Sequence, residues 1–312
     1  ENNILDSDNI ETILTQFRDR TDKDYFSRYV DTSEITNIEV LKKGMTNRSF
    51  LFRCKGEKYI MRIPGEGTER LINRSHEYQV YEVIKDKGIS DDILYFGVES
   101  GYKVTKFIEN TRTCDPENWK EVAECMNVLK NFHNLDLKVD HDFDIFGEID
   151  LYEGLWGENK SIYRDYNKTK DKIYQLKDFI ESLKPHRCLT HIDAVPDNFL
   201  FCDGVSGEID IRIIDWEYAG MQDPHVDLAM FSLYSMYTKE EVDRLNDLYF
   251  DGKCEDVIRA KIYAYIAACG LLWSNWCEYK RQLGVEFGEY SLKQYRYAKE
   301  YYKHASALIE SL

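Results

Sequence analysis

The chain has 312 residues, 43% of them hydrophobic and 31% charged, enough apolar material for two lobes rather than one small unit. Its net charge of −16 argues against a nucleic acid or an anionic membrane surface as partner, because both reward clustered Lys and Arg. The charge suits a cationic small-molecule substrate, as it would suit any merely soluble acidic protein. The eight cysteines show neither C-x-x-C pairing nor metal-ligand spacing, and several sit in apolar runs, which reads as a reducing, cytoplasmic compartment. The longest apolar run, Ile262 to Trp273, is shorter than the roughly 18–20 residues a bilayer span needs.

Taken in order, residues 8–20 have the spacing of a short amphipathic helix with Asp8 as its N-cap, in an extension over 1–34. From Ile35 the pattern turns to strands: Ile35–Leu41, Ser49–Arg53 and Lys58–Ile63, the first two joined by Gly44-Met45-Thr46-Asn47. Such a turn can offer backbone N–H groups to phosphates. With a single glycine it equally describes an ordinary hairpin. Gly65-Glu66-Gly67 lacks the third glycine of a dinucleotide fingerprint and sets a carboxylate against the phosphate, so that reading is discarded. A helix over 70–87 carries Glu77, and two further strands, 93–98 and 102–107, close a small antiparallel sheet. Arg62 and Glu77 can form a paired fork, though each alone also suits an exposed position. The polar stretch from Glu109 to Pro116 marks the boundary between a lobe over 35–109 and one over 110–312.

The second lobe begins with a helix over 119–134, on which Val122, Met126, Leu129 and Phe132 recur at helical spacing. His133 caps its C-terminus or is simply exposed. Residues 141–166 are aromatic and irregular and receive no assignment; a helix over 168–183 follows, ended by Lys184-Pro185. Then comes HIDAVPDNFL, residues 191–200, and after an apolar strand Ile213-Ile214-Asp215-Trp216-Glu217. Phosphoryl transfer from ATP needs a carboxylate to accept the hydroxyl proton and side-chain oxygens to hold Mg2+ against the phosphates. An Asp with an Asn five residues later fits one loop with the base, Asp193, at its start and a metal ligand, Asn198, at its end. Asp215 on a later strand completes a set of hard oxygen donors for a hard cation. His191 reads as a structural brace for the loop, and Asp197, out of phase with Asn198, as a surface residue. Beyond Asp227 the chain reads as helical to its end. Trp273 and Trp276, three apart on a helix over 255–280, share one face, a spacing that by itself more often marks a core.

Together, His-x-Asp-x-x-x-x-Asn and Ile-Asp-Trp-Glu resemble the aminoglycoside phosphotransferase and choline kinase branch of the protein-kinase-like fold, and the resemblance covers about residues 35–280. It implies an α+β, two-lobed protein-kinase-like fold: a small antiparallel sheet with one main helix in the N-lobe and a larger, mostly helical C-lobe. It implies ATP and Mg2+ as cofactors. Gly44, Thr46 and Asn47 resemble the choline kinase Gly-Gly-x-[Thr/Ser]-Asn turn with one Gly missing. Arg62 would hold phosphate with Glu77 orienting it, and Glu109 would stand at the hinge over the adenine. Asp227, in Asp-Pro-x-x-Asp-Leu-Ala, would brace the loop through backbone N–H groups.

The Trp pair resembles the helix that walls the quaternary-ammonium pocket of choline kinases. A trimethylammonium donates no ordinary N–H bond and is recognised by aromatic faces. Glu217 would contact the substrate cation there or stand behind the metal, and Tyr218 and Tyr290 are weaker candidates for the same cage. The expectation is a bacterial-type choline kinase that phosphorylates the choline hydroxyl, with small molecules as its only partners. Ethanolamine, homoserine and aminoglycoside kinases of the same fold are the alternatives, the last needing a carboxylate-rich pocket for which Glu278, Glu286 and Glu289 are candidates or merely a solvated face. A non-catalytic nucleotide-binding pseudokinase is the alternative of another class, against which the intact Asp193, Asn198 and Asp215 stand.

Overall fold

The computed structural model describes residues 34–43, 47–65, 67–203 and 209–312; the helix expected over 8–20 and the turn residues Gly44 and Thr46 lie outside them. The chain divides into two compact units, one ending at Asn110 and the other starting at Thr111.

In the first unit, strands β1 (Ile35–Lys43), β2 (Asn47–Cys54), β3 (Glu57–Pro64), β4 (Ile93–Phe96) and β5 (Lys103–Lys106) form one antiparallel sheet in the order β1-β2-β3-β5-β4. Alternation does the sorting. Phe50 and Phe52 on β2, Met61 and Ile63 on β3 and Val104 on β5 build one apolar face. Arg62 and Lys103, which pair in register between β3 and β5, point the other way, toward the helix α1 (Arg74–Ile84). Helix α1 starts four residues into the expected span because Asn73 caps it, accepting from the backbone N–H groups of Ser75 and His76.

The second unit holds, in order, β6 (Thr111–Thr113), α2 (Trp119–Asn134), α3 (Ile145–Gly154), α4 (Tyr166–Ser182), β7 (Cys188–Thr190), β8 (Phe199–Asp203), β9 (Ile209–Ile213), β10 (Gly220–Gln222), α5 (His225–Tyr234), α6 (Lys239–Tyr249), α7 (Asp256–Gln282) and α8 (Glu289–Ser311). Its strands make two small sheets, β6-β8-β9 and β10-β7. Helix α3 fills part of the aromatic stretch left without assignment; Ile145, Phe146, Ile149 and Tyr152 are its buried positions.

Helix α7 is the axis of this unit, packed by α3, α4, α5 and α8. By length and composition it could cross a membrane, yet 83% of its most apolar window is buried inside the protein, so its hydropathy is that of a core helix. Helix α8 crosses it closely at Gly270, where a Cβ would stand 2.9 Å from the Gln294 carbonyl oxygen. All eight cysteines are free thiols.

Candidate active site

In the first unit the sheet's polar face and α1 form one buried charge cluster. Arg62 and Lys103 lie directly opposite each other on adjacent strands, an arrangement that repels unless a carboxylate intervenes. Glu77 supplies it: Arg62 Nη1 donates to Oε1, and Nη2 donates to Oε2 at 3.0 Å and to the Gly101 carbonyl at 3.1 Å. Arg74 reaches the same carboxylate at 2.7 Å and the Asn47 side chain at 3.3 Å. Burial pushes the Glu77 carboxyl up, but Arg62, Lys103 and Arg74 outweigh it and hold the group below its ordinary value. Arg62 is 4% and Glu77 1% exposed, so neither is a surface residue. Gly101 belongs to this cluster for a steric reason: at φ 69°, a Cβ there would meet Pro64 Cγ at 2.7 Å. Glu109 is not part of it; its carboxylate pairs with Lys58 at 2.7 Å on the surface of this unit.

In the second unit the β8–β9 register sets the geometry of the 191–198 loop. Phe199 pairs with Ile213, so Asn198 and Ile214 fall side by side just beyond the ladder. The Ile214 N–H donates to the Asn198 carbonyl at 2.9 Å, and the Ile214 carbonyl accepts from His191 Nε2 at 2.9 Å. Loop and Asp215 turn are thus clamped at both ends of one residue. Asn198 Nδ2 donates to the Asp193 carbonyl at 2.8 Å and to Asp193 Oδ2 at 3.1 Å. Burial pushes the Asp193 carboxyl well up, and the charges of Asp215 and Glu217 push the same way, against the hydrogen bond from Asn198. Three acidic groups therefore crowd one another here, a setting a cation relieves. Among the described residues, however, no three His, Cys, Asp or Glu side chains could hold a metal by themselves.

Below the loop lies Asp227, fully buried. It accepts from the His191 N–H at 3.0 Å, the Ile192 N–H at 2.7 Å and His133 Nε2 at 2.9 Å, while Tyr249 lies 2.8 Å from His133 Nδ1. His133 is therefore neither a helix cap nor exposed. Its phase gives the reason, since it extends the buried stripe of Val122, Met126 and Leu129 by one more turn. His191 packs its ring on Trp216 at 4.5 Å, and burial pushes its pKa down, which leaves it neutral.

A continuous series of rings runs through this unit. Tyr218 meets Trp273 edge to face at 5.2 Å, Trp273 meets Trp276 at 5.9 Å, and Trp276 meets Phe287 at 5.1 Å. Phe287 leads to Tyr290 at 6.4 Å and Tyr290 to Tyr234 at 6.4 Å. The Asp193 charge acts on both Tyr290 and Tyr234, whose phenols burial already pushes up, so the series ends beside the loop. Trp276 also carries the Lys280 ammonium 5.8 Å from its ring centre. Phe287 and Tyr234 were not singled out in the sequence; Phe287 sits three residues before Tyr290, and Tyr234 seven after Asp227. Asp197 is not a bare surface residue either, because the Tyr234 hydroxyl donates to it at 2.8 Å. Of the three glutamates weighed for a polycationic acceptor, Glu286 and Glu289 are exposed, whereas Glu278 is buried and accepts from Ser161 at 2.6 Å.

Residues 38–246 match the model of the family described as choline/ethanolamine kinase. Protein LicA of Haemophilus influenzae is 30% identical over 266 residues, covering 80% of this chain and 76% of that one. Among solved structures, choline kinase LicA from Streptococcus pneumoniae superposes with a TM-score of 0.79 at 30% identity, over 94% of this chain and 99% of the other. A LicA structure in complex with AMP gives a TM-score of 0.77 at 30% identity, over 91% and 97% of the two chains.

Proposed function

Because the chain belongs to the choline/ethanolamine kinase family, we propose that it transfers the γ-phosphate of ATP to the hydroxyl of choline, giving phosphocholine and ADP. The family makes it a nucleotide-binding phosphotransferase with an alcohol acceptor, of protein-kinase-like fold. The observation that carries choline as the acceptor is the ring series from Tyr218 through Trp273, Trp276, Phe287 and Tyr290 to Tyr234, which ends where the Asp193 charge is felt. Aromatic faces attract a quaternary ammonium at about 0.5–2 kcal/mol per contact. Relatives named as choline kinases support the same acceptor.

In this reading Asp193 receives the hydroxyl proton as the oxygen attacks phosphorus in line. The Asn198 amide orients the Asp193 carboxylate for that transfer. Asn198 commits its amide nitrogen to Asp193 and so keeps Oδ1 for a metal, with Asp215 as the carboxylate partner. That donor set fits Mg2+, which is commonly held by one or two protein carboxylates with substrate phosphates completing the shell. When bound, Mg2+ neutralises phosphate charge. Arg62, oriented by Glu77, is the phosphate-binding cation, and Asn47 tethers Arg74 beside it. His191 and Asp227 hold the loop in place without touching substrate. Glu217 adds negative charge on the acceptor side. ATP as donor and the free thiols fit a cytoplasmic enzyme.

The test is ADP release and phosphorus NMR of the product across choline, ethanolamine, homoserine and kanamycin. Phosphocholine with the highest kcat/KM is the expected result. A preference for ethanolamine or kanamycin would replace the acceptor, and no ADP release with any alcohol would leave a nucleotide-binding pseudokinase.

A further inference from the structure

Asp197 and Tyr234 carry no role in the chemistry above beyond the ring. Asp197 lies between the base and the metal ligand, in the short 3-10 helix Pro196–Asn198. Tyr234 is the last residue of α5, donates its hydroxyl to Asp197 Oδ2 at 2.8 Å and packs its ring against Tyr290. The Asp193 charge also acts on Tyr234.

A short amino alcohol constrains what can lie there. In choline two carbons separate the hydroxyl from the nitrogen, so with the oxygen at Asp193 the cation lies no more than about 4 Å from that oxygen. This brings the ammonium to the Tyr234–Tyr290 end of the ring series. Asp197 is the carboxylate hydrogen-bonded to that end, through the Tyr234 hydroxyl.

Resting on the choline reading, we propose that Asp197, tethered by Tyr234, is the counter-charge that selects a cationic acceptor over a neutral one of equal shape. The aromatic faces attract the cation through their ring quadrupoles; Asp197 adds a full opposite charge to that discrimination. A full charge several ångströms from the ammonium in a partly buried site changes affinity on the order of tenfold after screening.

The experiment compares choline with 3,3-dimethylbutan-1-ol, its neutral carbon isostere, in the full chain and in Asp197→Asn. The amide still accepts the Tyr234 hydroxyl, so the ring keeps its place while the charge goes. The expected result is a fall of about tenfold in the ratio of kcat/KM for choline over the isostere, carried by the choline KM. Equal losses for both alcohols would make Asp197 a loop support and overturn the inference, as would an unchanged ratio. Tyr234→Phe keeps charge and ring but removes the tether, and its ratio should fall by less than Asp197→Asn; an equal fall would assign selectivity to the phenol instead. Wild-type turnover of choline separates the two levels. If the wild type phosphorylates no cationic alcohol, the function falls and this inference with it; if it does and the ratio is unmoved, only the inference falls.

Discussion

Asp227→Asn tests the frame on which the proposed chemistry rests. Asp227 is fully buried and takes three donors, the backbone N–H groups of His191 and Ile192 and the His133 ring, at 2.7–3.0 Å. Whichever way an amide is turned, its NH2 replaces an acceptor and faces at least one of those donors. Losing a hydrogen bond to a charged group costs about 1.5–3 kcal/mol, and a stranded buried donor about 1–3 kcal/mol. The expected loss is therefore about 3–5 kcal/mol. Urea unfolding followed by tryptophan fluorescence reads this cleanly, because all five tryptophans lie at or beyond residue 119 and report on the second unit alone. Turnover should fall by about tenfold to a hundredfold as Asp193 is misplaced with the loop. His133→Phe removes one donor and leaves the two backbone contacts, so it should cost about 1.5–3 kcal/mol. A stability of Asp227→Asn within about 1 kcal/mol of wild type, or an equal loss in His133→Phe, would refute the reasoning.

Other outcomes follow from the same geometry. Asp193→Asn should lower kcat by about 10²–10⁴ with little change in the ATP KM, measured by coupled ADP release. Asp215→Asn should shift the magnesium titration of activity to higher concentration, and superposable titrations would remove Asp215 from the metal site. Trp276→Leu should raise the choline KM by about 2–30-fold, the equivalent of 0.5–2 kcal/mol, with the ATP KM as internal control. Burial raises Glu148 from 4.5 to about 7, with the nearby Asp144 adding to it. The folded state then holds a proton the unfolded state has lost, so this group's contribution to stability falls as pH rises from about 4.5 to about 7 and is flat above. Glu148→Gln should flatten that slope by up to about 3 kcal/mol, read as the difference between the two stability–pH curves.

The parts legible in the sequence are those where a local pattern fixes the answer. Period-two alternation places β1 to β3, and caps or a following proline bound α2 and α4 to within two residues. The spacing from Asp193 to Asn198 is that of a single loop. What escaped depends on contacts distant in sequence. Whether His133 is exposed is decided by Asp227, 94 residues later, and Asp197 is recruited by Tyr234, 37 residues away. The Glu109 carboxylate, in the turn after β5, meets Lys58 on β3, 51 residues earlier. Helix α3 is not legible because its stretch, IFGEIDLYEG, has weak amphipathic contrast and two glycines; packing against α7 makes it a helix, and propensity alone does not.

Two residues near the site depart from ordinary backbone geometry in a way that joins these observations. Ile192 has φ 70° and Asp215 has φ 67°. A β-branched residue in that region is a genuine outlier, and each such residue costs on the order of 1–3 kcal/mol. Both are held by groups outside themselves: Ile192 by the Asp227 carboxylate on its N–H, Asp215 by the clamp on Ile214 between Asn198 and His191. Relaxing Ile192 toward negative φ would re-aim Asp193, and relaxing Asp215 would re-aim its own carboxylate. The frame thus fixes the aim of both acidic groups. Because His191 is both an Asp227 donor and an Ile214 donor, slackening at one end is passed to the other. That linkage makes Asp227, which touches no substrate in the proposed reaction, consequential for turnover all the same.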